Sequence, residues 1–75
     1  MLEAVTIREI ERIFEVTDRL GIHRESLVIP LRPRPGGGVR RMAGGKLELV
    51  ADAADFEAWL AGLEPELRKL VGVSS

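Results

Sequence analysis

Apolar residues recur at Ile7, Ile10, Ile13, Phe14, Val16 and Leu20. At about 100° per residue they cover roughly half of a helical wheel. Arg8, Glu11, Arg12, Glu15, Asp18 and Arg19 fill the other half, so the pattern predicts an amphipathic helix over 7–20. Two signals mark its start. Thr6 is followed three positions later by Glu9, a capping box in which each side chain satisfies the other's free backbone N–H, and Val5 and Ile10 occupy the staple positions. Gly21 marks its end, because a residue without a β-carbon accepts the left-handed backbone of a helix C-cap, and Ile22 is placed for the contact that closes a Schellman turn.

The period then changes. In SLVIPLR (26–32), Leu27, Ile29 and Leu31 alternate with period two, as a half-buried strand requires. Pro30 has no N–H to donate, which predicts an edge strand. A flexible connection, Pro33 to Gly38, follows. Val39–Ala43 and Lys46–Ala51 flank Gly44-Gly45, a pair suited to the positive φ angles of a tight hairpin turn, with Leu47, Leu49 and Ala51 expected to face the core. Asp52 is read as the cap of a second helix, with Asp55 in its first turn, where the partial positive charge of the helix end favours an acid. Phe56, Trp59, Leu60, Leu63, Leu67, Leu70 and Val71 fall within an arc of roughly 120° on the wheel. Pro65 predicts either a kink or a break at which it opens a second segment. Residues 72–75 are expected to fray. The expected fold is one α+β domain over 1–75, of order α-β-β-β-α, with an antiparallel sheet of two or three strands and two helices on one face.

Length sharpens the picture. A single 75-residue chain buries only about 60% of its unfolded surface, so its core is marginal and help from a partner is expected. Without cysteine, disulfides and soft-ligand zinc or iron–sulfur sites are excluded as that help. Self-association, as a homodimer, remains the cheapest route. The opening MLEAVTIREIERIF reads as neither a signal peptide nor a membrane span, which makes the cytoplasm the expected location. Frequent Arg and Glu with no Asn, Gln or Cys fit a high-temperature source, although a GC-rich codon bias produces the same composition.

Charge is unevenly spread. Between Val28 and Leu47 stand Arg32, Arg34, Arg40, Arg41 and Lys46 with no acid among them, whereas residues 1–27 carry six acids against four bases and residues 48–75 six against two. The net charge of −1 therefore hides a basic centre between acidic arms. Arg32, Arg34, Arg40 and Arg41 are the candidate contacts for an anion or a partner, since guanidinium groups bind phosphates bidentately. No aromatic residue lies between Phe14 and Phe56 to stack on a base. In a strand VRRMA, adjacent arginines also point to opposite faces.

Motifs of chemistry are missing from these residues. Counting back from Gly45-Lys46, a phosphate loop would need glycine at Arg40 and a hydroxyl at Leu47, and a dinucleotide loop from Gly36 and Gly38 would need glycine at Arg41. His23 is the single histidine and has no companion for metal binding or for a nucleophile. The carboxylates are expected to balance neighbouring arginines, for instance Glu15 with Arg19.

With Leu20-Gly21-Ile22, then Gly37-Gly38-Val39-Arg40-Arg41-Met42-Ala43-Gly44, then Lys46 to Asp52, the chain resembles a group of short bacterial proteins that have no assigned activity. Their pattern runs from a helix ending in LGI through GGxxRxxG to a last strand and helix, covering about Leu20 to Leu70. More remotely it is similar to the front of small zinc metallopeptidase domains. Those carry HExxH on the helix after the strands; DFEAWLAGLEPELRKL has no histidine, so the resemblance implies no peptidase activity and no metal. The sequence thus leads to a non-catalytic interaction module without cofactor, self-associating through an edge strand or through Trp59 and Leu63. The alternative is weak nucleic-acid or anion binding through the central arginines.

Overall fold

The computed structural model describes residues 2–71; the tail expected to fray lies outside the described residues. Helix α1 (Ile7–Arg19) is followed by a 3-10 turn (Arg24–Ser26), strands β1 (Leu27–Val28) and β2 (Gly38–Arg41), a second 3-10 turn (Ala43–Gly45), strand β3 (Leu47–Val50) and helices α2 (Phe56–Ala61) and α3 (Leu63–Val71). The α+β order is the one expected, with the last helix in two pieces.

Both ends of α1 are built as its sequence dictates. The Glu9 carboxylate accepts the Thr6 backbone N–H at 2.8 Å and also the Thr6 hydroxyl. At the other end Gly21 takes φ +73°, the Ile22 N–H reaches the Thr17 carbonyl at 2.9 Å and the Gly21 N–H the Asp18 carbonyl at 3.1 Å. Those two bonds are the Schellman pair. Thr17, fully buried, returns its hydroxyl to the Phe14 carbonyl at 3.2 Å, and among the described residues no buried side-chain polar atom is left unmatched.

The sheet is mixed, which alters the expected antiparallel arrangement. β3 is central: β2 pairs with it antiparallel, as the hairpin predicts, but β1 pairs with it parallel, Leu27 opposite Leu47 and Val28 opposite Glu48. The chain leaves β1 at Ile29, crosses to the far edge and only then turns back, so β3 drops between the two earlier strands. Pairing of β1 stops before Pro30, consistent with its missing donor. The hairpin is joined by the Ala43–Gly45 turn, with Gly44 and Gly45 at φ +86° and +84°.

One cluster forms the core: Ile13 and Val16 from α1, Leu47 and Leu49 from β3, Leu60 from α2, and Leu63 and Leu67 from α3. All three helices therefore cover the sheet face that carries Leu47 and Leu49. The division between α2 and α3 falls at Gly62, whose N–H closes α2 on the Ala58 carbonyl at 3.2 Å and whose carbonyl takes the first bond of α3 from Glu66 at 3.4 Å. Pro65 is thus the third residue of α3 and does not open it. An N–H at that position has no intrahelical acceptor in any helix, so proline forfeits nothing there. Asp55, not Asp52, caps α2, accepting the Ala58 N–H at 3.0 Å.

Candidate functional site

The four central arginines do not form one patch. In the β2–β3 register Arg40 lies opposite Glu48 and Arg41 opposite Leu47, so alternation sends the two to opposite faces. Arg40 Nε donates to Glu48 Oε1 at 2.5 Å. Arg41 Nη2 donates to the Leu70 carbonyl, placing a cation at the C-terminus of α3, where it offsets the helix dipole. Arg34 is held by its backbone: its N–H reaches the Ala51 carbonyl at 3.0 Å, and its carbonyl accepts Ala53 at 2.8 Å and Gly37 at 3.0 Å. Arg34 and Arg40 share an open depression of about 470 Å³ with Gly37, Gly38, Val39, Glu48 and Val50. Glu48 already supplies the anion there. Arg32 is exposed, and among the described residues neither Arg32 nor Arg34 forms an ion pair.

The connection 33–38 is tied down by more than Arg34. Asp52 accepts the Gly36 N–H at 3.1 Å and the Ala54 N–H at 2.8 Å, and these backbone donors hold its carboxyl below the usual aspartate range. The Glu9 carboxyl is likewise lowered, first by the Thr6 hydroxyl and then by the Thr6 N–H. Both shifts come from the hydrogen bonds of turns and caps that build the fold.

Of the two residues expected to mediate self-association, one is buried and the other half-buried. Leu63 is 1% exposed and sits in the core, on the apolar stripe that also carries Leu60 and Leu67. Trp59 is half-buried and packs on the core, its ring 5.8 Å from that of Phe56. Arg12 stands 5.9 Å over Phe56 and pairs with Glu57, closing the α1–α2 seam.

Large apolar side chains are exposed elsewhere. Ile7 is 75% and Leu31 60% exposed. A bond from the Val5 N–H to the Leu31 carbonyl at 2.9 Å places Leu31 beside the start of α1, two residues before Ile7. The wheel holds the signal for Ile7, which falls about 120° from the fully buried Ile13 and so at the rim of the apolar stripe. Leu31 follows the end of β1 pairing, where alternation no longer reports the sheet face.

His23 is exposed beside Arg24 and Glu25. Arg24 turns away to Asp18 at 2.9 Å and over the Phe14 ring at 4.4 Å. Among the described residues no group of three His, Cys, Asp or Glu is placed to hold a metal ion, and no helix is long and apolar enough to cross a membrane. No protein-family model, curated protein or solved structure matches the chain.

Proposed function

We propose that the chain is a small non-catalytic interaction module that associates with a second copy of itself. The observation that carries this reading is the exposure of Ile7 and Leu31, with Leu31 bonded beside the start of the helix that Ile7 opens. A core of this size is marginal, and two large aliphatic side chains left in water are the natural place to gain further burial. Fully burying an exposed side chain of this kind is worth about 1.5–3 kcal/mol, so with Ile7 75% and Leu31 60% exposed four across two copies contribute about 4–8 kcal/mol. Association costs about 4–15 kcal/mol. The apolar centre alone is therefore near balance, and polar contacts must decide the affinity.

Binding of nucleic acid or another anion through Arg32, Arg34, Arg40 and Arg41 has less behind it. Arg40 is satisfied by Glu48 and Arg41 by the Leu70 carbonyl, which leaves two cations, too few for a phosphate track. Sedimentation equilibrium at micromolar concentration separates the outcomes. A species at twice the 8.3 kDa chain mass supports self-association; a single 8.3 kDa species with a cooperative melt overturns it.

A further inference from the structure

We infer that two copies meet through a two-fold contact centred on Ile7 and Leu31, in which Arg32 and Arg34 of each copy face Glu11 and Glu15 of the other. The inference rests on the self-association proposed above and adds the surface and the pairing. It follows from the order in which the fold lays these residues out.

α1 begins beside Leu31, through the Val5 to Leu31 bond. It ends beside the Arg24–Ser26 turn, where Arg24 pairs with Asp18 at 2.9 Å. The chain from Leu27 to Leu31 therefore runs back along α1, from its end to its start. Beyond Leu31 it continues to Arg34, which is bonded to Ala51 and Ala53, and the Ala53 carbonyl accepts the Leu2 N–H at 2.8 Å. Residues 2–5 thus run from the Arg34 end to Leu31 and then enter the helix. Along one line the surface reads Glu15, Glu11, the Ile7 and Leu31 pair, Arg32, Arg34.

The two sides have comparable reach. Glu11 and Glu15 lie about 6 and 12 Å from Ile7 along the helix. Arg32 and Arg34 lie at most about 4 and 11 Å from Leu31 along the chain. All four are exposed, and none is in an ion pair among the described residues. The neighbouring charges Arg12, Asp18 and Arg19 are taken by Glu57, Arg24 and Glu64. Two exposed charges oppose the pattern, Glu3 on the basic side and Arg8 on the acidic side; each removes one charge and leaves one in excess. A two-fold axis through the apolar pair reverses the line, so each acidic half meets a basic half. An acidic protein or a nucleic acid would be drawn by one half and repelled by the other. A second copy answers both.

The test is sedimentation equilibrium of the full chain as wild type, Arg34→Glu, Glu15→Arg, and an equimolar mixture of the two variants. Each reversal acts twice across the axis, so each variant alone is expected to raise the dimer Kd at least about tenfold. In the mixture the acid introduced at position 34 of one chain faces the base introduced at position 15 of the other, while the remaining native pair is kept, so heterodimers should form with near wild-type affinity. About 1 M salt, where the Debye length is about 3 Å, should weaken the wild type. Dimers whose Kd is unmoved by either variant overturn this surface and leave self-association standing. Variants that weaken singly without rescue in the mixture also overturn it, since rescue requires both to be folded and correctly paired. A wild type that is monomeric throughout overturns the surface and the self-association reading together.

Discussion

Gly37 sits against Trp59 so closely that a β-carbon on the glycine would lie 2.9 Å from the indole Cδ1. The same atom would stand 2.7 Å from the Val50 carbonyl oxygen and 2.8 Å from the Asp52 nitrogen. Trp59 therefore serves inside the fold, as a wall for the glycine turn.

Gly37→Ala is accordingly expected to be costly. The backbone holds φ +59°, worth about 1–3 kcal/mol of strain in a residue with a side chain, and two of the three clashing atoms are backbone and cannot rotate away. Gly36, at φ +82° with open space around it, carries only the conformational cost. In thermal melts Gly37→Ala should lower the midpoint well beyond Gly36→Ala, each kcal/mol being worth about 4–8 °C in a domain of this size. Equal shifts would mean that the close packing contributes nothing.

Gly62 presents the opposite case. Its φ is −90°, and an added β-carbon would meet the Trp59 and Ala58 carbonyls at 3.8 and 3.9 Å, ordinary contact distances. Gly62→Ala should stabilise the chain by about 0.4–1 kcal/mol through the unfolded state, read in a urea titration as a higher midpoint at unchanged slope.

Stability should fall on the acid side. Glu9 and Asp52 have their carboxyl groups lowered below ordinary values of 4.5 and 3.8 in the fold, so the unfolded chain binds protons first as pH drops. Their contribution is complete above those values and is lost as pH falls through the depressed folded ones. Urea midpoints measured from pH 6 downward should decline below about pH 4.5, and Glu9→Gln with Asp52→Asn should flatten that decline. A double variant with an unchanged acid limb would remove the caps as its cause.

What was legible in the sequence was local. The Thr6–Glu9 box, the Gly21 turn and the opposite facing of Arg40 and Arg41 each depend on residues within a few positions, and the structure builds them that way. What was not legible depends on distant pairings. The parallel union of β1 with β3 is set by where the chain crosses after Pro30, and no periodicity records that. Asp52 reads as a helix cap by spacing, but the Gly36 and Ala54 N–H groups claim it. Glu15 and Arg19 stand at i,i+4, yet Arg19 reaches to Glu64 at 3.4 Å. The proposed contact surface follows the same rule: Trp59 and Leu63 share the stripe that forms the core, whereas Ile7 and Leu31 look like core residues until tertiary contacts leave them exposed.

Ile7→Ser with Leu31→Ser, compared with the wild type by sedimentation equilibrium, addresses the proposed role of these residues most directly. Both are surface positions in the single chain, so the double variant should retain a cooperative melt, with monomer stability changed by only about 0.5 kcal/mol per site. The wild type is expected to sediment as a dimer at micromolar concentration and the variant as an 8.3 kDa monomer. A wild type of 8.3 kDa at every concentration, or a variant that dimerises as tightly as the wild type, would contradict it.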